Sequence, residues 1–132
     1  MTDKELVQIA VESKKRSLSD YSHFRVGAAL ETAAGKIYHG ANIENASYSL
    51  TMCAERTAIF TALVEGEREF KTIAIASDSK NFISPCGACR QVLYEHCGED
   101  LDVIMTNSAG DYKKVKIKDL LPYGFSDKDL DE

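Results

Sequence analysis

The segment KTIAIASDSKNFISPCGACRQVLYEHCGEDLDVIMTN, residues 71–107, contains a helix-like stretch between two strand-like runs. The runs at 71–77 and 102–107 are short, apolar and rich in β-branched residues, which predicts two strands. The stretch at 85–99 begins with Pro, has apolar residues at helical spacing and meets Gly98, which predicts a helix. Strand–helix–strand units form right-handed crossovers between parallel strands. The segment therefore predicts a sheet with a helix on one face.

The remaining segments also carry helix or strand periodicity. They predict an amphipathic helix at 4–17, a hairpin of strands at 24–32 and 36–43, an apolar helix at 51–67, an edge strand at 112–117 and a helical turn at 118–125. Thr51 is expected to cap the second helix and Gly66 to end it. Together the elements predict an α/β protein with a mixed sheet and helices on its faces.

Size and charge limit the possible functions. The chain has 132 residues, of which 44% are hydrophobic and 28% charged, and we expect one domain spanning residues 1–132. Its net charge of −5 disfavours a nucleic-acid partner, because no broad cationic surface is available for phosphates. No apolar run approaches the roughly 20 residues needed to span a bilayer. The N-terminus lacks the pattern of a secretory signal, so we expect a cytoplasmic protein without a membrane role.

Three of the four cysteines have the spacing of a metal site. Cys86 and Cys89 stand at i and i+3 in the first turn of a predicted helix, and Cys53 begins another helix. Thiolates are favoured at helix N-termini, and soft sulfur ligands in a tetrahedral arrangement suit zinc. A site with three protein ligands keeps a position for water, as catalytic zinc sites do. Glu55 is then a candidate proton carrier, and Arg56 a candidate N–H donor to a thiolate.

Other interpretations of the cysteines remain open. A Cys-x-x-Cys pair beside a strand–helix–strand pattern also occurs in thioredoxin-like dithiols, although that motif usually follows the first strand of its fold. Cys97 could complete a closed, structural four-cysteine site, but it lies at the C-terminal end of its helix, away from Cys86 and Cys89. A small buried thiol is the simpler interpretation of Cys97.

Five motifs resemble, in order and spacing, the small three-cysteine cytidine deaminases. They are FRVGAAL (24–30), GANIENASY (40–48), CAER (53–56), PCGACRQ (85–91) and LLPYGF (120–125). The resemblance implies a three-layer α/β/α fold with a five-stranded mixed sheet. It also implies a zinc-dependent hydrolase that acts on the C–N bond of a cyclic amidine. Cytidine and deoxycytidine would be converted to uridine and deoxyuridine with release of ammonia, a step of pyrimidine salvage.

The resemblance assigns a role to each matching residue. One zinc ion per subunit would be bound by Cys53, Cys86 and Cys89, with Glu55 moving protons while water attacks C4 of cytosine. The nucleoside would contact a further set of residues, some of them reaching across subunits of a homotetramer with shared active sites. Those within the subunit are Phe24, Asn42, Glu44 and the backbone at Ala54, and those reaching across are Ala46, Tyr48 and Phe125.

Two rival functions remain. Blasticidin-type deaminases share the metal motifs, but the NIEN segment at 42–45 supplies an amide and a carboxylate for a ribose. A noncatalytic zinc-stabilised module is a hypothesis from another class. Editing of RNA or DNA is disfavoured by the acidic charge and by the absence of an evident aromatic platform in the sequence.

Overall fold

The computed structural model describes residues 1–130, and the predicted domain limit at residue 132 lies outside them. Within this range the chain forms one five-stranded sheet and four α-helices. In chain order the elements are α1 (Asp3–Ser13), β1 (Val26–Thr32), β2 (Ile37–Ala41), α2 (Ala54–Val64), β3 (Phe70–Ser77), α3 (Gly87–Cys97), β4 (Asp102–Thr106), β5 (Tyr112–Lys116) and α4 (Ile117–Leu120).

The sheet is mixed, as predicted. Its strand order is β2-β1-β3-β4-β5, and β3 pairs with β4 in parallel across the α3 crossover. The β1–β2 hairpin and the β1–β3 and β4–β5 pairs are antiparallel. The predicted hairpin and the edge position of the last strand are therefore confirmed.

Alternating side chains separate the core into two layers. On one face, Leu6 and Ala10 of α1 pack with Ala29 and Ala74 of the sheet. On the other face α2 and α3 cover Leu30 and the neighbouring apolar side chains of β3 and β4. Because successive residues of a strand point to opposite faces, the strands β1 to β4 each contribute side chains to both layers. The predicted α/β/α arrangement with helices on both faces is confirmed.

The predicted start of α2 is wrong. Thr51 does not cap the helix, because residues 51 and 52 are still extended: the backbone groups of Met52 and Ile43 exchange two hydrogen bonds of 2.9 Å. The helix begins only at Ala54, with Cys53 as its N-cap residue. The bridge to Ile43 thus places Cys53 at the helix entrance. Gly66 ends the helical turn with a φ of 96°, as its position in the sequence predicts.

A glycine in β2 allows α2 to lie close to the sheet. A Cβ atom on Gly40 would lie 2.5 Å from the carbonyl oxygen of Ala54 and 2.7 Å from the backbone nitrogen of Ala58. Only a residue without a side chain permits this approach. The first turn of α2, which carries Cys53, Ala54 and Glu55, is therefore fixed by direct backbone packing on the sheet.

Candidate active site

Three sulfur atoms meet where α2 and α3 begin. Cys53 and Cys86 are the N-cap residues of the two helices, and Cys89 lies in the first turn of α3. The Sγ atoms of Cys53 and Cys86 are 3.7 Å apart, those of Cys86 and Cys89 are 3.2 Å apart, and all three lie within 4.8 Å of one another. Both helices direct the positive ends of their dipoles toward this cluster, which favours thiolates.

The geometry of the cluster fits a zinc ion. With Zn–S bonds near 2.3 Å, ligands at tetrahedral angles are separated by about 3.8 Å. The Cys53–Cys86 separation already has this value, and Cys86–Cys89 requires only a small widening. Three soft donors without a fourth protein ligand in the cluster match an open zinc site among the described residues. Cys97 does not join them.

The pKa values of the Cys53 and Cys89 thiols are shifted in opposite directions. The pKa of Cys53 is lowered to about 5 by its interaction with the Cys89 thiol and by the hydrogen bond from Arg56. The pKa of Cys89 is raised, because this thiol keeps the shared proton and is buried. The Cys53–Cys89 interaction therefore favours the thiolate at Cys53, and a cation would displace the remaining protons.

Arg56 is the cation nearest to these sulfurs. Its Nη2 atom lies 3.5 Å from the Sγ atom of Cys53, and its Nε atom is buried with no partner among the described residues. The pKa of Arg56 is raised above its ordinary value by the Cys53 thiolate. This half-buried guanidinium would compensate the excess negative charge that three thiolates leave on a divalent ion.

Glu55 is a buried carboxyl group beside the sulfurs. It belongs to the first turn of α2 and keeps 4% of its surface exposed. Burial raises the pKa of Glu55 to about 7, and the negative charge of Cys53 adds to the effect. A carboxyl group with a pKa near neutrality can both accept and return a proton at physiological pH.

A pocket of about 270 Å³ opens in front of this cluster. Its volume is close to the lower end of the range of about 300–1,000 Å³ that is typical of small-molecule sites. Most of the predicted site residues line it: Phe24, Asn42, Glu44, Tyr48, Cys53, Ala54, Glu55 and Cys86. The structure thus brings two of the three candidate metal ligands, the candidate proton carrier Glu55 and most of the predicted nucleoside contacts to one cavity.

Asn42 and Glu44 are held by the segments that form the pocket wall. The Oδ1 atom of Asn42 accepts hydrogen bonds from the Ser17 hydroxyl (2.5 Å) and the Val26 N–H (2.9 Å), and its Nδ2 atom donates to the Phe24 carbonyl (2.8 Å). The carboxylate of Glu44 accepts hydrogen bonds from the backbone N–H groups of Tyr21 and Ser22 and from the Ser22 hydroxyl. These bonds lower the pKa of Glu44, which keeps it an anion.

Two of the predicted contacts are outside this pocket. Ala46 is exposed, and Phe125 has 52% of its surface exposed, and neither lines the cavity. Tyr48 does line it and remains 56% exposed. The contribution of these residues to a neighbouring subunit's site stays a prediction.

Sequence reasoning missed several residues of the wall. The Ser22 hydroxyl donates a hydrogen bond to Glu44 and accepts one from the Phe24 N–H (3.0 Å), and Ile83 and Ser84 also line the cavity. The serine two residues before Phe24 is the pattern of a local hydroxyl turn, a signal that could have identified Ser22. Ser84 and Ile83 carry no such signal.

The comparisons identify the family. The model of the cytidine and deoxycytidylate deaminase zinc-binding region matches residues 1–105. The chain belongs to this deaminase family. It is 45% identical to a cytidine deaminase of Sporosarcina psychrophila over 98% of this chain and 96% of that protein. The crystal structure of cytidine deaminase from Burkholderia pseudomallei superposes with a TM-score of 0.92 at 46% identity, over 95% of this chain and 100% of that one.

A relative with a different named substrate is more distant. The blasticidin-S deaminase of Bacillus cereus is 33% identical over 94% of this chain and 92% of that protein. The deaminase family therefore includes relatives of this chain with at least two named activities. Among residues 1–130, none of the helices combines the length and apolar character that crossing a membrane requires.

Proposed function

We propose that this deaminase catalyses the zinc-dependent hydrolytic deamination of cytidine and deoxycytidine to uridine and deoxyuridine with release of ammonia. One observation carries the proposal: Cys53, Cys86 and the buried Glu55 line a single small pocket, and the sulfur of Cys89 lies within 4.8 Å of the other two sulfurs. The 45% identity to a cytidine deaminase over nearly the whole chain supports the choice of a nucleoside over another cytosine-containing compound. The reaction is a step of pyrimidine salvage.

Each residue of the site has a distinct task in this proposal. Cys53, Cys86 and Cys89 would bind the zinc, which when bound supplies activated water at neutral pH. Glu55 would move two protons in turn: one from the attacking water to N3 of the pyrimidine, and a second from the new C4 hydroxyl group to the amino group, which then leaves as ammonia. Because Glu55 is 4% exposed, few solvent molecules compete for its proton.

The pocket wall would hold the nucleoside. The carboxylate of Glu44 offers acceptors to the ribose hydroxyls, and Asn42 offers its amide beside it. Phe24, which is 37% exposed, provides an apolar surface for the base or the sugar. The backbone at Ala54 lies in the first turn of α2 next to the sulfurs, where it can contact the pyrimidine edge.

The assembly and location belong to the same proposal. Exposed Tyr48 and Phe125 are apolar surfaces that association would bury, which supports a homotetramer with active sites shared between subunits. We infer that the chain is one domain over residues 1–132 and that it acts in the cytoplasm on small nucleosides. The formal charge of −5 supports a partner other than a nucleic acid.

Replacing Glu55 by Gln tests the proposal directly. The amide keeps the size of the side chain but cannot carry the proton, so kcat for cytidine should fall by about 10²–10⁴-fold. Zinc content, measured by elemental analysis, should stay at one ion per subunit. Glu65→Gln, at the exposed C-terminal end of the same helix, is the matched control and should change neither quantity.

The rival functions give different results in the same assay. Turnover is followed by the absorbance change when the purified protein is mixed with cytidine, deoxycytidine, cytosine or blasticidin S. Turnover of blasticidin S without turnover of either nucleoside would reject the proposed substrate while keeping the chemistry. Bound zinc with no turnover of any substrate would favour the noncatalytic module.

A further inference from the structure

One arginine side chain connects the metal-ligand loop to the C-terminal part of the chain. The guanidinium of Arg90 donates three hydrogen bonds through its three nitrogens. Nε reaches the carbonyl of Pro85 at 2.7 Å, Nη1 the carbonyl of Leu120 at 2.9 Å, and Nη2 the hydroxyl of Ser84 at 2.8 Å. Such a planar fork fixes the direction of all three acceptors at once.

The three acceptors lie in two segments of the chain, one next to a candidate metal ligand and one at the end of α4. Ser84 and Pro85 directly precede Cys86, and Leu120 is the last residue of α4. The backbone N–H of Arg90 also donates to the Cys86 carbonyl at 2.9 Å. The side chain and the backbone of Arg90 therefore bind the carbonyl groups immediately before and after the Cα atom of Cys86.

Cys86 depends on such support more than the other two sulfurs do. Cys89 is buried within α3, and Cys53 is fixed by the packing of α2 on Gly40, whereas Cys86 is exposed at the end of a loop. Residues 78–86 form neither helix nor strand, and Pro85 has no N–H with which to anchor itself. Hydrogen bonds from a cation are roughly twice as strong as neutral ones.

We propose that Arg90 is a positioning residue that pre-forms the metal site, by holding the Ser84–Cys86 segment against the end of α4 so that Cys86 faces Cys53 and Cys89. The inference rests on the proposed zinc site. The adjacent side chain extends the same connection, since the Nε2 atom of Gln91 lies 2.5 Å from the Phe125 carbonyl. Metal-loop geometry and the placement of the C-terminal segment are thus set from one turn of α3.

The test compares substitutions of Arg90 and of its acceptor Ser84 with a control substitution of another arginine that binds backbone carbonyls. Arg90→Gln removes the fork, and Arg90→Lys keeps the charge but cannot make the three directed bonds. Ser84→Ala removes a single acceptor. The matched control is Arg68→Gln, because Arg68 also donates to two backbone carbonyls, at 3.0 Å and 2.7 Å, beyond the opposite end of α2.

Zinc dissociation constants are measured on the full chain by competition with a chromophoric chelator. Loss of outer support for metal ligands costs about 10–100-fold in affinity, and we expect a loss of this size for Arg90→Gln. Losses for Arg90→Lys and Ser84→Ala should be smaller, and Arg68→Gln should bind zinc like the wild type. In the cobalt-substituted protein, Arg90→Gln should weaken the sulfur-to-cobalt charge-transfer band, while Arg68→Gln should not.

The outcomes separate this inference from the proposed function. A wild-type chain that binds no zinc would overturn the metal site and this inference together. Tight zinc binding by the wild type and equally tight binding by all Arg90 and Ser84 variants would overturn this inference alone. A loss of affinity in Arg68→Gln as large as in Arg90→Gln would do the same, since the effect would then be general destabilisation. If Arg90→Gln does not fold, the comparison of Arg90→Lys and Ser84→Ala with Arg68→Gln gives the same decision.

Discussion

Replacing Gly40 by Ala adds one methyl group at the contact between β2 and α2. The new Cβ atom would lie 2.5 Å from the Ala54 carbonyl oxygen, 2.7 Å from the Ala58 nitrogen and 3.0 Å from the Thr57 Cβ atom. Ordinary contacts begin at 3.4 Å, so the first turn of α2 would have to move by about 0.9 Å. The obstacle is helix backbone, which cannot rotate away as a side chain can.

This displacement should change both the free energy of unfolding and the catalytic rate. Forcing a methyl group into a packed interface costs about 1–3 kcal/mol of unfolding free energy. The moved turn carries Cys53 and Glu55, and a displacement of about 1 Å in a catalytic site can lower the rate by about 100-fold. We therefore expect the variant to fold, to be measurably less stable in urea, and to lose about 10–100-fold in kcat/KM for cytidine.

Gly87→Ala is the control for this prediction. Gly87 is also close to the sulfurs, but a Cβ atom there meets nothing within 4 Å. An alanine in the first turn of α3 should leave the unfolding free energy unchanged or raise it by up to about 1 kcal/mol. If Gly40→Ala kept wild-type stability and turnover, the close approach of α2 to the sheet would not position the site, and the reasoning would be refuted.

Two further predictions concern carboxylates. The pKa of Asp78 is lowered to about 2 by hydrogen bonds and charge from Arg25, and by Lys14. A lowered folded-state pKa stabilises the protein above about pH 4 and loses its effect as pH falls through 2. After allowance for solvent screening, Asp78→Asn should cost about 1 kcal/mol at pH 7 in urea denaturation. The difference from the wild type should shrink steadily below pH 4, and a constant difference would contradict the assignment. Glu44→Gln removes the anionic acceptor that Ser22 orients, and should raise KM for cytidine about 10-fold while kcat changes less. An equal fall in kcat would show that Glu44 acts in the chemical step.

Periodicity predicted the elements because each one is decided locally. The strands at 71–77 and 102–107 and the helix between them have strong, short patterns with clear ends, and the parallel pair follows from their order. Boundaries depended on contacts outside the pattern. The first helix ends at Ser13 rather than near 17, because the next three residues wind into a tighter turn. The start of α2 was displaced by the bridge between Ile43 and Met52.

In the candidate site, too, some features follow from local sequence and others depend on tertiary contacts. Cysteine spacing and helix position are local properties, so the meeting of Cys53 with Cys86 and Cys89 could be predicted from two helix starts. The residues that hold these groups in place could not be predicted in this way. Arg90 reaches Leu120 across 30 positions of sequence, and Arg25 reaches Asp78 across 53. Such pairs are determined by tertiary packing, and no short-range sequence pattern predicts them.

Asn42 shows why binding and folding are coupled in this pocket. An amide side chain has two donor hydrogens and an oxygen with two lone pairs. In Asn42 both lone pairs and one hydrogen are used by Ser17, Val26 and Phe24 within the described residues. What remains for a ribose is one N–H, presented by a group that is 8% exposed. The amide therefore acts on a ligand chiefly by fixing the Phe24–Val26 wall, so a change at Asn42 must alter the unfolding free energy and KM together. Glu44, whose carboxylate has acceptor capacity beyond its turn contacts, is the position at which ribose recognition can be measured separately.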